Sequence, residues 1–132
     1  MIVDSSVVIA ILRQEADAQE FSEAMEAATS CRISAASFFE AAIVIDSRRD
    51  ALASREFDSI FAANDIEICT VDERQARIAR EAYRDFGKGS GHPAKLNFGD
   101  CFAYALAKAR NEPLLFKGKD FAHTDVRPAL VR

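Results

Sequence analysis

Four acidic residues stand at related places along this sequence. Asp4 closes a short apolar run at the N-terminus, and Glu40 lies inside a long apolar segment. Asp100 follows a glycine-rich loop, and Asp120 ends the turn after another apolar run. A carboxylate in apolar surroundings needs a cation, or it takes up a proton. The question that the sequence poses is whether the four side chains converge.

If they converge, carboxylate oxygens alone would form the site, and such ligands suit hard cations such as Mg²⁺ or Mn²⁺. Clustered carboxylates repel one another unless cations neutralise them. Two such ions, about 3.5–4 Å apart, can activate a water and stabilise the leaving oxygen of a phosphodiester. The pattern therefore favours metal-dependent phosphodiester hydrolysis that needs no histidine base.

Three of the four acids also have a simpler structural explanation. Glu40 could close a capping box with Ser37, although Ser34 is the better N-cap for that helix. Asp100 lies in the first turn of a predicted helix, where the macrodipole favours an acid. Asp120 is a common turn residue.

The segments around the acids alternate between strand and helix patterns, which predicts a single α/β domain over residues 1–132 with a short, mostly parallel sheet. The predicted strands are 2–3, 31–34, 66–71 and 113–116, with a possible fifth near Val126 that Pro128 would limit, and the predicted helices are 7–12, 18–28, 35–48, 51–64, 72–86 and 98–110. In a parallel sheet, strand C-termini and the N-termini of the following helices share one edge, so the four acids can meet there.

The apolar spacing also predicts which helix faces are buried. The helix 35–48 is apolar nearly all round and should be largely buried. The next two predicted stripes are Val71, Ile78, Ala79, Ala82, Tyr83 and Phe86 for the helix 72–86, and Phe98, Cys101, Phe102, Ala105, Leu106 and Ala109 for the helix 98–110.

The composition is that of a soluble globular domain, with 49% apolar and 29% charged residues. The longest apolar run is too short for a bilayer, and no signal peptide is visible, so we expect a cytoplasmic protein without a membrane segment. The net charge of −4 argues against a nucleic-acid binder that relies on an overall basic surface. Three widely spaced cysteines indicate buried, reduced thiols.

Four segments carry a resemblance to a known family: Met-Ile-Val-Asp-Ser-Ser at 1–6, Ser-Ala-Ala-Ser-Phe-Phe-Glu at 34–40, Leu-Asn-Phe-Gly-Asp-Cys-Phe-Ala-Tyr-Ala-Leu-Ala at 96–107 and Pro-Leu-Leu-Phe-Lys-Gly-Lys-Asp-Phe at 113–121. In this order and spacing, they resemble the PIN-domain ribonucleases, most closely the VapC toxins of bacterial toxin–antitoxin pairs. The resemblance covers essentially the whole chain and implies a PIN-like fold.

By that resemblance, Asp4, Glu40, Asp100 and Asp120 form the acidic metal-binding and catalytic set. Ser6 matches the hydroxyl that often supports the first aspartate. Many relatives carry another acid two residues before the last one, where this chain has Gly118. The chain therefore departs from the family pattern beside Asp120.

The resemblance further implies a metal-dependent endoribonuclease toxin that uses Mg²⁺ or Mn²⁺ and cleaves structured RNA, often tRNA. It implies homodimers, and heterotetramers or larger assemblies with a VapB-like antitoxin. The C-terminal segment of such an antitoxin lies near the early helices. Operator DNA is bound through the antitoxin and not through the toxin.

Basic residues that flank the predicted edge are candidates for contacts with RNA phosphates, although solubilising charge explains each of them equally well. They are Arg48, Arg49, Lys88, Lys95, Lys117 and Lys119.

Three other readings remain open: a catalytically inactive PIN-like module that binds a protein, a nuclease that prefers DNA, and a phospho-receiver-like α/β domain. The receiver reading could use Lys117. It lacks an acidic pair after the first strand.

Overall fold

Four short strands form one parallel sheet in the computed structural model, which describes residues 1–131. The strands are β1 (Ile2–Val3), β2 (Cys31–Ser34), β3 (Ile66–Cys69) and β4 (Leu114–Leu115), in the order β3-β2-β1-β4. β1 therefore lies inside the sheet. Its Ile2 is in register with Arg32 on one side and with Leu114 on the other. The predicted α/β fold with a parallel sheet is confirmed.

The helices between the strands are α1 (Ser5–Leu12), α2 (Ala18–Ala27), α3 (Ala35–Asp46), α4 (Ala51–Ala63), α5 (Glu73–Phe86) and α6 (Phe98–Arg110). A short 3₁₀ helix, Phe121–His123, follows β4. Three helix starts follow strands closely and carry side-chain caps: Asp4 caps α1, Ser34 caps α3 and Asp72 caps α5. No helix of residues 1–131 combines the length and apolarity that a bilayer crossing requires.

Alternation along β1 and its neighbour β4 divides the core between the faces of the sheet. Ile2 and Leu114 pack on the face covered by α5 and α6, with Leu106 as a fully buried neighbour. Val3 and Leu115 pack on the opposite face, against residues of α1 to α4. The sheet is thus covered on both sides, which explains why two-residue strands consist of apolar residues only.

The order in which the chain adds strands to the sheet reverses at β1. β2 and β3 are added on one side of β1, and β4 is added on the other side. Ligand sites of open α/β sheets form at such switch points, beyond the strand C-termini. Asp4 directly follows β1 at this point. The order also differs from the 2-1-3-4-5 order of receiver-like sheets, which removes the support for the phospho-receiver reading.

Several burial predictions were wrong. α3 is not buried all round, since Phe39 is 64% exposed and Ile43 is also exposed. Tyr83 is 49% exposed and Phe98 is 79% exposed. Helical spacing identifies a stripe but not where packing on that stripe ends.

Two predicted strands differ from the structure at the margins of the sheet. β3 ends at Cys69, two residues before the predicted end, and Val71 is exposed. The predicted fifth strand near Val126 is absent from the described residues, where a single bridge joins Leu114 to Pro128. Leu114 makes both bonds of this bridge, since its N–H donates to Arg127 O and its carbonyl accepts from Ala129 N–H, and the bridge stays isolated within residues 1–131. The three cysteines are free and buried, as predicted.

Candidate active site

Asp4 has the most buried carboxylate of the four acids, with 4% of the residue exposed. Asp4 directly follows β1 and caps α1, so its backbone is extended and its side chain turns toward the helix N-terminus. Burial raises the pKa of Asp4 from 3.8 to about 6. Hydrogen bonds from Ser6 lower that pKa, and the charges of Asp100 and Glu40 raise it.

Ser6 makes two hydrogen bonds to the same oxygen of Asp4. Its backbone N–H donates to Oδ2 at 3.1 Å, and its hydroxyl donates to Oδ2 at 2.5 Å. The hydroxyl also accepts a hydrogen bond of 3.0 Å from the backbone N–H of Lys117. Ser6 therefore joins the end of β1 to the turn after β4.

Glu40 lies in the second turn of α3 and is half-buried. Its Oε1 accepts a hydrogen bond of 2.7 Å from the buried hydroxyl of Ser5. The possible capping box with Ser37 is not formed, because Ser34 caps α3 and the Ser37 hydroxyl has no partner among the described residues. Glu40 is therefore directed toward α1 and α6, not to its own helix.

Asp100 is held by a capping box at the start of α6. The backbone N–H of Asp100 donates to Asn97 Oδ1 at 2.9 Å, and the backbone N–H of Asn97 donates to Asp100 Oδ2 at 3.0 Å. Burial raises the pKa of Asp100, the Asn97 bond lowers it, and the charges of Asp120 and Glu40 raise it again. The Asp100 side chain therefore caps α6 and also contributes a negative charge to the group of acids.

Asp120 is exposed, at the residue before the short 3₁₀ helix, and its side chain does not cap that helix. The turn that leads to it passes through Gly118, whose φ of +91° favours glycine. The charge of Asp120 nevertheless raises the pKa of Asp100. Asp120 therefore lies on the solvent-exposed side of the four carboxylates.

Asp100 interacts electrostatically with each of the other three acids. Its charge raises the pKa of Asp4, and the charges of Asp120 and Glu40 raise its own pKa. The structure thus brings the four predicted acids to one edge of the sheet, from four different elements. Within residues 1–131, no three His, Cys, Asp or Glu side chains are arranged to hold a metal ion by themselves. Mg²⁺ usually takes only one or two protein carboxylates and completes its shell with water and phosphate, so the oxygen-only donor set fits such an ion.

The six basic residues predicted to contact RNA are all exposed, but they are not equivalent. Lys117 Nζ is paired with Asp17 at 3.0 Å and with Glu15 at 3.3 Å. Hydrogen bonding to Asp17 is the main cause of the raised pKa of Lys117. Arg48 and Arg49 follow the C-terminal end of α3, whose last residue, Asp46, lies about 9 Å of helix rise beyond Glu40. Lys88, Lys95 and Lys119 complete the group, whose contacts with RNA stay a prediction.

Sequence reasoning missed three residues that hold the acids. Ser5 binds Glu40, Asn97 binds Asp100, and Gly99 lies against the Glu40 carboxylate. The spacing Asn-x-x-Asp before an apolar helix is a capping-box signal that could have identified Asn97. A glycine inside a helix could have drawn attention to Gly99. No local signal pairs Ser5 with a residue 35 positions later.

Comparisons with known proteins agree on one family. Residues 1–127 match the PIN domain model. The chain is 56% identical over 132 residues to ribonuclease VapC28 of Mycobacterium tuberculosis and equally to VapC ribonuclease Mb0625 of Mycobacterium bovis, with 100% of this chain and 99% of each relative covered. It is 45% identical over 126 residues to ribonuclease VapC30 of Mycobacterium tuberculosis, with 96% of this chain and 95% of that relative covered.

Solved structures show the same fold at low sequence identity. VapC20 of Mycobacterium tuberculosis, a sarcin–ricin-loop-cleaving toxin, superposes with a TM-score of 0.69 at 15% identity, covering 96% of this chain and 98% of that chain. A toxin–antitoxin complex from Klebsiella pneumoniae gives a TM-score of 0.70 at 17% identity, covering 99% and 95%. With the family model and the full-length relatives, these findings show that the chain belongs to the PIN-domain family, among its VapC toxins.

Proposed function

We propose that this chain is a metal-dependent endoribonuclease that acts as the toxin of a toxin–antitoxin pair. The observation that carries the proposal is the convergence of four carboxylates at the switch point of the sheet, among them the buried Asp4 directly after β1. The full-length relatives are named ribonucleases, which supports RNA as the substrate. Structured RNA such as tRNA is the proposed target.

In this proposal Asp4 and Asp100 are the main ligands of Mg²⁺ or Mn²⁺, and Glu40 and Asp120 complete the acidic set. A bound divalent cation lowers the pKa of water and stabilises negative charge on the phosphodiester. Ser6 keeps Oδ2 of Asp4 in one orientation, and Asn97 does the same for Oδ2 of Asp100. The chain's own contribution is therefore to hold carboxylates that repel one another in one place.

The exposed position of Asp120 suits a group that meets the substrate side of the site. RNA brings its own negative charge to an acidic edge, so basic residues must flank that edge. Lys119 precedes Asp120 and is exposed, and Lys88 and Lys95 lie in the loop before α6. We assign these three lysines to phosphate contacts, together with Arg48, Arg49 and Lys117.

Calorimetric titration tests the proposal. Mn²⁺ is titrated into the wild-type protein and into Asp4→Asn, and the heat of binding is measured for each. The wild type should bind Mn²⁺, and the variant should lose most of that binding and its RNA cleavage while its circular dichroism stays unchanged. Asp58→Asn removes an exposed carboxylate on α4 and serves as the matched control. A wild type that binds no Mn²⁺ and cuts no RNA would favour the inactive, protein-binding module instead.

We also propose that the toxin forms homodimers through the face of α5 and α6. A groove of about 490 Å³ on this face is lined mostly by apolar side chains, and the exposed ring of Phe98 forms part of its wall. A protruding ring next to an apolar hollow is self-complementary under two-fold symmetry. Sedimentation of wild type and Phe98→Asp tests this, and an unchanged mass of the variant would contradict it.

The antitoxin is expected to use a different face, between α3 and α4. Phe39, Ile43 and Leu52 are exposed on these two helices, and a groove of about 760 Å³ runs between them. An amphipathic segment of a VapB-like antitoxin fits such a groove. The assembly would be a heterotetramer or larger, would bind operator DNA only through the antitoxin, and would reside in the cytoplasm. Co-purification of the antitoxin with wild type but not with Phe39→Asp tests the surface.

A further inference from the structure

The second residue of α6 is a glycine, although glycine weakens the interior of a helix relative to alanine. Gly99 is buried. A Cβ atom built on Gly99 would overlap Glu40 Oε2 and would lie 2.7 Å from Glu40 Cδ and 2.8 Å from Oε1. All three of its nearest neighbours therefore belong to one carboxylate.

The backbone does not require glycine at this position. The φ of Gly99 lies outside the left-handed region, unlike that of Gly118 or Gly89. An alanine would suit the helical conformation better. What an alanine would remove is the space that the Glu40 carboxylate occupies.

The other side of that carboxylate is held by α1. Ser5 is buried, and its hydroxyl donates to Glu40 Oε1 at 2.7 Å. Glu40 is thus held between a hydroxyl of one helix and the bare backbone of another. The carboxylate is the free end of a long side chain, so these two contacts decide where its charge lies.

We propose that Gly99 and Ser5 are positioning residues that fix the Glu40 carboxylate beside Asp4 and Asp100. Gly99 does so by leaving space, and Ser5 does so by donating a hydrogen bond. The inference rests on the proposed function, since it gives Glu40 a place in the metal-binding set. In this proposal neither residue is a ligand of the metal or a contact of the RNA.

The first test is Gly99→Ala, with calorimetric Mn²⁺ titration, thermal unfolding and a crystal structure. The added methyl group displaces a flexible side chain and not the backbone, so the melting temperature should be unchanged or higher. The Mn²⁺ dissociation constant should rise about tenfold or more, as for other residues that orient ligands. The crystal structure should show the Glu40 carboxylate moved away from Asp4.

A double-mutant cycle with Glu40→Asp separates positioning from a general effect. Aspartate is one methylene shorter and does not reach the space at Gly99. In the Glu40→Asp background, Gly99→Ala should therefore change the Mn²⁺ dissociation constant by less than about threefold. If the two substitutions weaken Mn²⁺ binding independently, so that the factor for the double variant equals the product of the two single factors, the proposal is wrong.

Ser5→Ala gives a second route if Gly99→Ala does not fold. It should also weaken Mn²⁺ binding several-fold, whereas Ser59→Ala, which removes an exposed hydroxyl on α4, should not. Gly89→Ala adds the same methyl group where no heavy atom lies within 4 Å. Its φ of +92° disfavours alanine, so this variant should lose some stability, but its Mn²⁺ affinity should equal that of the wild type.

The crystal structure separates the two hypotheses. If the wild type binds no Mn²⁺ and cuts no RNA, the proposed function fails, yet the position of Glu40 in Gly99→Ala still shows whether Gly99 and Ser5 place it. If Mn²⁺ binds and Glu40 stays beside Asp4 in the variant, only the positioning proposal is wrong.

Discussion

The Ser6 hydroxyl donates a 2.5 Å hydrogen bond to Asp4 Oδ2, and the Ser6 backbone N–H donates to the same oxygen. Both bonds favour the ionised carboxylate, and they oppose the burial that raises the pKa of Asp4 to about 6. Ser6 therefore keeps a buried acid available as a ligand near neutral pH.

Removal of that hydroxyl should raise the pKa of Asp4 further. In Ser6→Ala, the pH at which Mn²⁺ binding is half-maximal should move upward, because the proton competes more strongly for the ligand. Calorimetric titrations between pH 5.5 and 8 would measure the shift. Ser59→Ala provides the control, and a variant whose pH profile matches the wild type would contradict the role of Ser6.

The raised pKa of Asp4 makes a prediction about stability without metal. The folded protein holds the Asp4 proton more tightly than the unfolded chain, so ionisation of Asp4 destabilises the fold as the pH rises from 3.8 to about 6. At about 1.36 kcal/mol per pKa unit, the cost above that range is at most about 3 kcal/mol. Asp4→Asn should then melt about 5–10 °C higher than wild type at pH 7.5 in EDTA.

The same variant should show little advantage at pH 4, where Asp4 is protonated in the folded wild type. Thermal unfolding at both pH values, followed by circular dichroism, makes the comparison within one pair of proteins. If Asp4→Asn melts lower than wild type at pH 7.5, burial is not the dominant influence on Asp4.

Asn97 offers a way to separate helix capping from catalysis. Asn97→Ala breaks the capping box and should destabilise the protein by about 1 kcal/mol. It should also release Asp100 from one fixed orientation and slow RNA cleavage. Urea unfolding and a cleavage assay under one set of conditions measure both effects.

Asp50 is the matched control, since it caps α4 with hydrogen bonds to Leu52 and Ala53. Asp50→Ala should cost a similar stability and leave cleavage unchanged. Equal cleavage by the two variants would mean that Asn97 only stabilises α6.

Two neighbouring lysines should behave differently toward RNA. Lys119 is exposed, whereas Lys117 is committed to Asp17 and Glu15. Lys119→Ala should therefore weaken RNA binding and reduce the slope of log affinity against log salt by about 0.7–0.9. Lys117→Ala should reduce that slope less. Fluorescence anisotropy at several salt concentrations measures both slopes, and identical slopes for the two variants would exclude the distinction.

Residue patterns predicted the parallel sheet and the edge where Asp4 lies, because both follow from alternation and from the apolar character of buried strands. The convergence of Glu40 and Asp100 on that edge follows from the same topology. The metal-binding and catalytic roles of the four acids stay predictions. The spacing of residues in the sequence could not predict which distant residue each side chain contacts.

Phe98 and Ser5 illustrate the reason. Phe98 fits the apolar stripe of α6, yet it is the first residue of the helix and extends past the core that covers the rest. Ser5 is an ordinary polar residue in sequence, and only the crossing of α1 and α3 places Glu40 within 2.7 Å of its hydroxyl. Contacts between distant elements depend on packing angles that a one-dimensional pattern does not contain.

The pairing of β1 with β4 has a consequence for the timing of toxicity. The second residue of the chain pairs with residue 114, so β1 has only one of its two neighbouring strands until most of the protein has been synthesised. Pairing over such a sequence separation comes late in folding. A partly synthesised toxin carries Asp4 and Glu40 but lacks Asp120 and the turn that meets Ser6. The four acids of this chain can therefore come together only after residues 114–120 have been synthesised.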